Sequence, residues 1–292
     1  MENGLYYGLI LLSVVMFGGG FALNDVYRKE RGSGLSVSME AAFLGSLASL
    51  PFLFAFNGFV LDFTPFTLIM ATLAALNGIG FTFFTFRALD AVNLSLFSVF
   101  SMLGGMVLPS VLGIAFYGED FTVAKAVCTL LIIIALALTV KREEKSGGLL
   151  WCIGVFVLNG MSGVLSKLFN ELPFARTDAA SYSIWIGLVS AFISGCAWLF
   201  YLKKADWKLG IYTFRAGAAV FTNGALNKIA NFILVLAIPF IHASLQYPMI
   251  TGGVMIVTTL ICCFGDRKPS KKELLSVVFA FLGTLALFVI PV

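Results

Sequence analysis

Charge is scarce in this chain. Only 12% of its 292 residues are Asp, Glu, Lys or Arg, about half the roughly 25% of a soluble domain, so a water-soluble globule is excluded. Histidine is scarcer: the single His242 falls at a turn between apolar runs, where a loop residue is expected rather than a proton relay. The five cysteines, Cys128, Cys152, Cys196, Cys262 and Cys263, all sit inside apolar runs. No pair shares a loop, so neither a disulfide framework nor a zinc site is indicated. GxSxG, HExxH and Walker motifs are missing, so no enzyme class and no cofactor is supported. No basic stretch follows Met1-Glu2-Asn3-Gly4, so the first apolar run does not look like a cleaved signal peptide.

What the chain has is apolar length. It is 60% hydrophobic with a mean hydropathy of +0.99, and 91–118, 146–166, 179–202 and 229–265 contain no Asp, Glu, Lys or Arg. Bilayer crossing needs about 20 such residues. The expectation is an all-α polytopic membrane protein with ten transmembrane helices, roughly 4–27, 35–56, 65–87, 93–117, 122–140, 148–170, 179–202, 213–237, 243–264 and 272–290. With a span beginning almost at residue 1 and another reaching the last residues, no soluble domain is expected at either end.

The net charge of +4 lies in short clusters between apolar runs, which speaks against a nucleic-acid partner. Loops after odd-numbered spans hold Arg28, Lys29 and Arg31; Arg87; Lys141, Arg142 and Lys145; Lys203, Lys204 and Lys208 with Arg215; and Arg267, Lys268, Lys271 and Lys272. The other side keeps Lys125 and Arg176, with Lys167 at the end of span six. The positive-inside rule then places odd-numbered loops in the cytoplasm and both termini outside it, in a plasma (inner) membrane. Trp151, Trp198, Trp207 and several tyrosines near span ends read as interfacial anchors.

The halves 1–145 and 146–292 can be laid on each other. Gly18 and Asp25 match Gly160 and Lys167; Ala75-Leu76-Asn77-x-Ile79 matches Ala225-Leu226-Asn227-x-Ile229. Ser95-Leu96, Gly104-Gly105 and Tyr117-Gly118-Glu119 match Ser244-Leu245, Gly252-Gly253 and Phe264-Gly265-Asp266. Five spans per repeat is odd, so the second repeat is inverted, an arrangement common in secondary transporters. Both repeats are expected to form one integrated transmembrane domain.

On these residues the chain resembles the drug/metabolite transporter superfamily, EamA-like branch. The likeness rests on Gly160 followed seven residues later by Lys167, on Ala88-Leu89 before span four, and on Gly118-Glu119 after it. Asp25 stands where the first repeat would carry Lys, Asp266 replaces the second Glu, and the basic loop between spans two and three is missing. The resemblance implies a ten-helix transporter working by alternating access, with spans three and eight helping to form a central cavity. Export of an amino-acid-like or related small polar metabolite is expected, with proton-coupled uptake of an organic cation or other nutrient as the alternative. An intramembrane enzyme or scaffold would need a reactive constellation that the chain lacks. The partners are the small-molecule substrate and the lipid bilayer; monomer and homodimer both stay open.

Candidate substrate-binding residues are the polar ones deep in spans: Asn77, Asn227, Lys228, Ser98, Ser101, Gln246 and Tyr247. The amides can equally serve helix–helix bonding, and Ser or Thr often bonds back to its own helix. A lone ammonium at mid-membrane costs about 2.5–3.5 kcal/mol on insertion scales, so Lys228 must enter a cavity, pair with a carboxylate such as Glu40, lose its proton through desolvation, or cap carbonyls at a helix break. Glu40, the one carboxylate well inside a span, is the candidate for proton coupling, though snorkelling would also explain it. Pro51, Pro109 and Pro248 are expected to kink spans two, four and nine.

Overall fold

The computed structural model describes residues 2–117, 122–139, 148–204, 213–237, 243–265 and 268–290. They form an all-α bundle: α1 (Glu2–Arg31), α2 (Leu35–Phe56), α3 (Pro65–Ala91), α4 (Leu94–Tyr117), α5 (Val123–Thr139), α6 (Gly148–Glu171), α7 (Ala179–Lys204), α8 (Phe214–Ala237), α9 (Ala243–Cys263) and α10 (Lys271–Val289). Six of these, α1 to α4, α6 and α7, are long and apolar enough to cross a membrane, while α5 and α9 carry shorter apolar segments. The outer surface carries Leu5, Leu11, Ile69, Phe192 and Leu199. A molecule wrapped in apolar side chains suits lipid rather than water, and on this count the protein is membrane-embedded.

Local chemistry fixes several helix starts. Thr64 caps α3 by accepting from the Thr67 amide at 3.1 Å, and Pro65 occupies the first helical position, where its missing N–H costs nothing. Ser270 and Glu273 form a reciprocal capping box at α10, satisfying two free amides. Glu273 also accepts from Asn93 at 2.8 Å, which ties the start of α10 to the start of α4. Pro51 and Pro109 lie inside α2 and α4.

The halves interdigitate instead of standing side by side. α1 packs on α8 and α9, α6 on α3 and α4, α2 on α7 and α8, α3 on α7, and α9 and α4 meet α10 and α5. Raising or lowering each label by five turns α1·α8 into α6·α3, α1·α9 into α6·α4, and α2·α8 into α7·α3. Under the same exchange α2·α7, α4·α9 and α5·α10 map onto themselves. Smaller contacts such as α1·α3 have no counterpart among the described residues.

Matched glycines sit at matched crossings. A Cβ on Gly104 would run into the backbone of Phe156, so α4 and α6 touch main chain to main chain. At the same crossing a Cβ on Gly105 would meet Asn159 Nδ2 at 2.9 Å, and one on its counterpart Gly253 would meet Val14 Cγ1 at 2.8 Å, where α9 crosses α1. Small residues at such crossings let helices approach closely when no hydrophobic drive separates lipid from protein.

Candidate functional site

Direction along the bundle follows from cross-helix contacts. One end gathers the C-termini of α1 and α3 with the N-termini of α2, α4, α8 and α10; Arg28 reaches Asp90, Thr213 reaches Glu30, and Asn93 reaches Glu273. The opposite end holds the turns after α2 and α6. There Thr177 donates its amide to Thr67 Oγ1 at 3.1 Å, and Trp185 donates Nε1 to the Asp62 carbonyl at 2.8 Å. The first is called the ionic end here and the second the aromatic end.

A cavity of about 590 Å³ lies in the half nearer the aromatic end. It is lined by the last residues of α2 (Leu53, Phe56), by α3 at Ala74, Asn77, Gly78 and Phe81, and by α6 at Leu158, Asn159, Ser162 and Ser166. From α7 come Ala179, Ala180, Tyr182, Ser183 and Ile186, and from α8 Asn227, Lys228 and Asn231. Both halves of the chain therefore contribute, and its size falls in the range of small-ligand sites, about 300–1,000 Å³. Asn77 lies about 18 Å along α3 from its start at 1.5 Å per residue, so the cavity reaches mid-bundle.

Three of the residues expected from the sequence meet in this space. Asn77 is partly committed, donating Nδ2 to the Leu158 carbonyl at 2.9 Å and so pinning α3 to α6. Its repeat partner Asn227 makes no such cross-helix bond; it accepts from Asn231 Nδ2, through its carbonyl at 2.6 Å and its Oδ1 at 3.3 Å. Lys228 is the single charged group among the lining residues, and among the described residues its ammonium has no ion-pair partner.

The remaining candidates lie elsewhere or outside view. Ser98 is fully buried, donating to the Ser95 carbonyl at 2.8 Å and accepting from Thr258 Oγ1 at 2.7 Å, so it joins α4 to α9 away from the cavity. Ser101 is also buried; its carbonyl accepts from Asn159 Nδ2 at 2.6 Å, while its own hydroxyl has no partner among the described residues. The side chains of Gln246, Tyr247 and Pro248 on α9 lie outside the described set, as do Gly118, Glu119, Lys141, Arg142, Lys145, Trp207, Lys208, His242, Asp266 and Arg267.

Glu40 sits at the ionic end. Its carboxylate is fully buried, ion-paired with Arg31 at 2.9 Å and accepting from the Tyr27 hydroxyl at 2.9 Å. Thirteen residues, about 20 Å of helix, separate it from Leu53 at the cavity. Arg28 beside it holds Asp25 at 2.8 Å and Asp90 at 2.7 Å, and Lys29 also meets Asp25. Arg215 faces Glu30 across α8 and α1 at 3.6 Å. Glu40, Arg28 and Arg31 thus concentrate paired charge at one end.

Sequence reading missed Asn159, Tyr182 and Asn231 as cavity residues. Tyr182 is held rigidly, its ring 3.9 Å from that of Phe169 at 7° between planes. Asn231 stands one helical turn after Asn227, a spacing that puts both on one face; that i, i+4 repeat was the available signal. In comparisons with known proteins, no family profile and no curated protein matches this sequence.

Proposed function

We propose that the protein is a secondary-active transporter that exports a small polar metabolite by alternating access. The observation carrying this reading is the polar cavity: it reaches mid-bundle, draws on both halves, and is backed at the opposite end by a cluster of ion pairs that includes the buried Arg31–Glu40 pair. Such a molecule holds a solute from one side while the other is shut. The exchange of helix partners between halves and the matched glycine crossings support two inverted five-helix repeats, and with them ten membrane-spanning helices in the manner of the drug/metabolite transporter superfamily. Basic clustering supports a cytoplasmic ionic end, with both termini outside an inner membrane. In that orientation the cavity belongs to an outward-facing state. Glu40 is tied to Arg31 and Tyr27, so proton coupling through Glu40 gains no support from the geometry.

Counterflow in proteoliposomes tests this directly. Purified protein should accelerate exchange of a labelled solute drawn from a panel of small metabolites, with no nucleotide present. Failure to move any member of the panel, in a preparation that binds one of them, would remove the transport reading. Orientation is checked separately: a C-terminal alkaline phosphatase fusion should be active and a green fluorescent fusion dark.

A further inference from the structure

The lining of the cavity is electrostatically one-sided. Lys228 brings an ammonium, and no Asp or Glu stands among the lining residues to balance it. The ion pairs named above, among Asp25, Arg28, Lys29, Glu30, Arg31, Glu40, Asp90 and Arg215, lie at the ionic end. A cation in this space would meet like charge across a medium of low dielectric. A neutral solute would leave the ammonium as it found it.

Asn227 lines the same space, and among the described residues its Nδ2 makes no hydrogen bond, while its two oxygens accept from Asn231. Tyr182 contributes its ring alone, because its hydroxyl is buried away from the open space. The amide and the ammonium therefore face a cavity walled in part by Phe56, Phe81 and Leu158.

From this we infer that the cavity binds a monocarboxylate with a compact apolar body, its carboxylate held by Lys228 and by the Asn227 amide. The inference rests on the transporter reading only for its biological use, since binding stands or falls alone. One ammonium balances one negative charge, which favours a monoanion over a phosphate dianion. A zwitterion would place its ammonium among amides and phenyl rings with no carboxylate to receive it, so it ranks below a simple organic acid. The organic-cation alternative is disfavoured by the same charge.

Three isosteric probes decide the matter: benzoate, benzamide and benzylammonium, each titrated against the purified full-length protein while thermal unfolding is followed. Benzoate should raise the midpoint and the other two should not. Lys228→Met should abolish the benzoate shift while its own midpoint equals or exceeds the parent's, because removing a buried unpaired charge does not harm folding. Asn227→Ala removes the amide beside Lys228 and should weaken benzoate binding about tenfold. If Lys228→Met is poorly expressed, Lys228→Arg serves instead and should retain benzoate selectivity. Equal shifts with benzamide or benzylammonium, no benzoate shift at tens of millimolar, or an unaltered shift in Lys228→Met would each overturn the anion site. The two readings fail differently: benzoate binding without counterflow sinks transport alone, whereas counterflow of a cation with no benzoate binding sinks the anion site alone.

Discussion

Where α1 ends beside α2, α3 and α8, the bundle is fastened by Arg28 and Arg31 to Asp25, Asp90 and Glu40, with Tyr27 on the same carboxylate. Where α3 and α7 begin, it is fastened by Thr67, Thr177 and the Trp185–Asp62 bond, and by rings of Phe66, Phe169 and Tyr182. Neutral hydrogen bonds and stacked rings each contribute about 1 kcal/mol and can be exchanged one at a time. Buried charge behaves otherwise: with both partners present it is near break-even, and with one removed it is strongly unfavourable. One end of the protein can therefore loosen gradually, while the other holds or gives way as a unit.

Breaking the comparison hardest is Arg31→Met. It leaves the fully buried Glu40 with Tyr27 alone among the contacts described here, and should cost about 3–5 kcal/mol, read as a lower unfolding midpoint in detergent. The double change Arg31→Met with Glu40→Gln should regain most of that loss. If the single and double variants are equally unstable, paired charge is not what holds this end.

Arg28→Met comes next. Arg28 is buried but Asp90 is 55% exposed, so solvent takes up part of the penalty and about 1–3 kcal/mol is expected. In vesicles this variant should raise the reactivity of a cysteine placed at Ser38 toward a reagent added on the side of the ionic end. Unchanged reactivity would show that the ion pairs do not seal the end. Thr67→Val, at the aromatic end, removes a hydroxyl that meets both Thr64 and Thr177; about 1 kcal/mol is expected. A loss as large as that of Arg31→Met would erase the distinction between the ends. The smallest effect belongs to Arg215→Ala. Its 3.6 Å pair with Glu30 is 72% exposed on the arginine side, so the change should stay within about 0.5 kcal/mol and fade further in salt.

Helices were legible in the sequence because a bilayer demands long apolar runs, and the ten expected segments coincide with α1 to α10 to within a few residues. Ends were less so. Apolar patterning stops where charge begins, so α1 was expected to end at residue 27 and α3 at 87; they run on to Arg31 and Ala91. The added turns carry the very charges that pair with one another, and Arg87 lies over the rings of Phe83 and Trp151 at 5.6 Å. Within the cavity, Asn77, Asn227 and Lys228 stood out by polarity against apolar neighbours. Tyr182 did not, since a tyrosine near a helix start resembles any interfacial anchor, and its isolation emerges only from three-dimensional neighbours. Ser98 shows the converse: a polar residue in a span proved to serve packing between α4 and α9.

The way the halves interleave sets a timetable for synthesis. The ribosome completes α1 to α5 before α6 exists, yet α1 has its main partners in α8 and α9, and α3 and α4 have theirs in α6. Until then the Asn77 carboxamide lacks the Leu158 carbonyl, and Gly104 lacks the backbone it is shaped to meet. An N-terminal domain that folds while the rest is being made is the usual order in multidomain chains; here the first half must wait in the membrane, unlatched, for the second to arrive. A nascent chain stalled after α5 would expose those surfaces to lipid, to the insertion machinery and to membrane proteases.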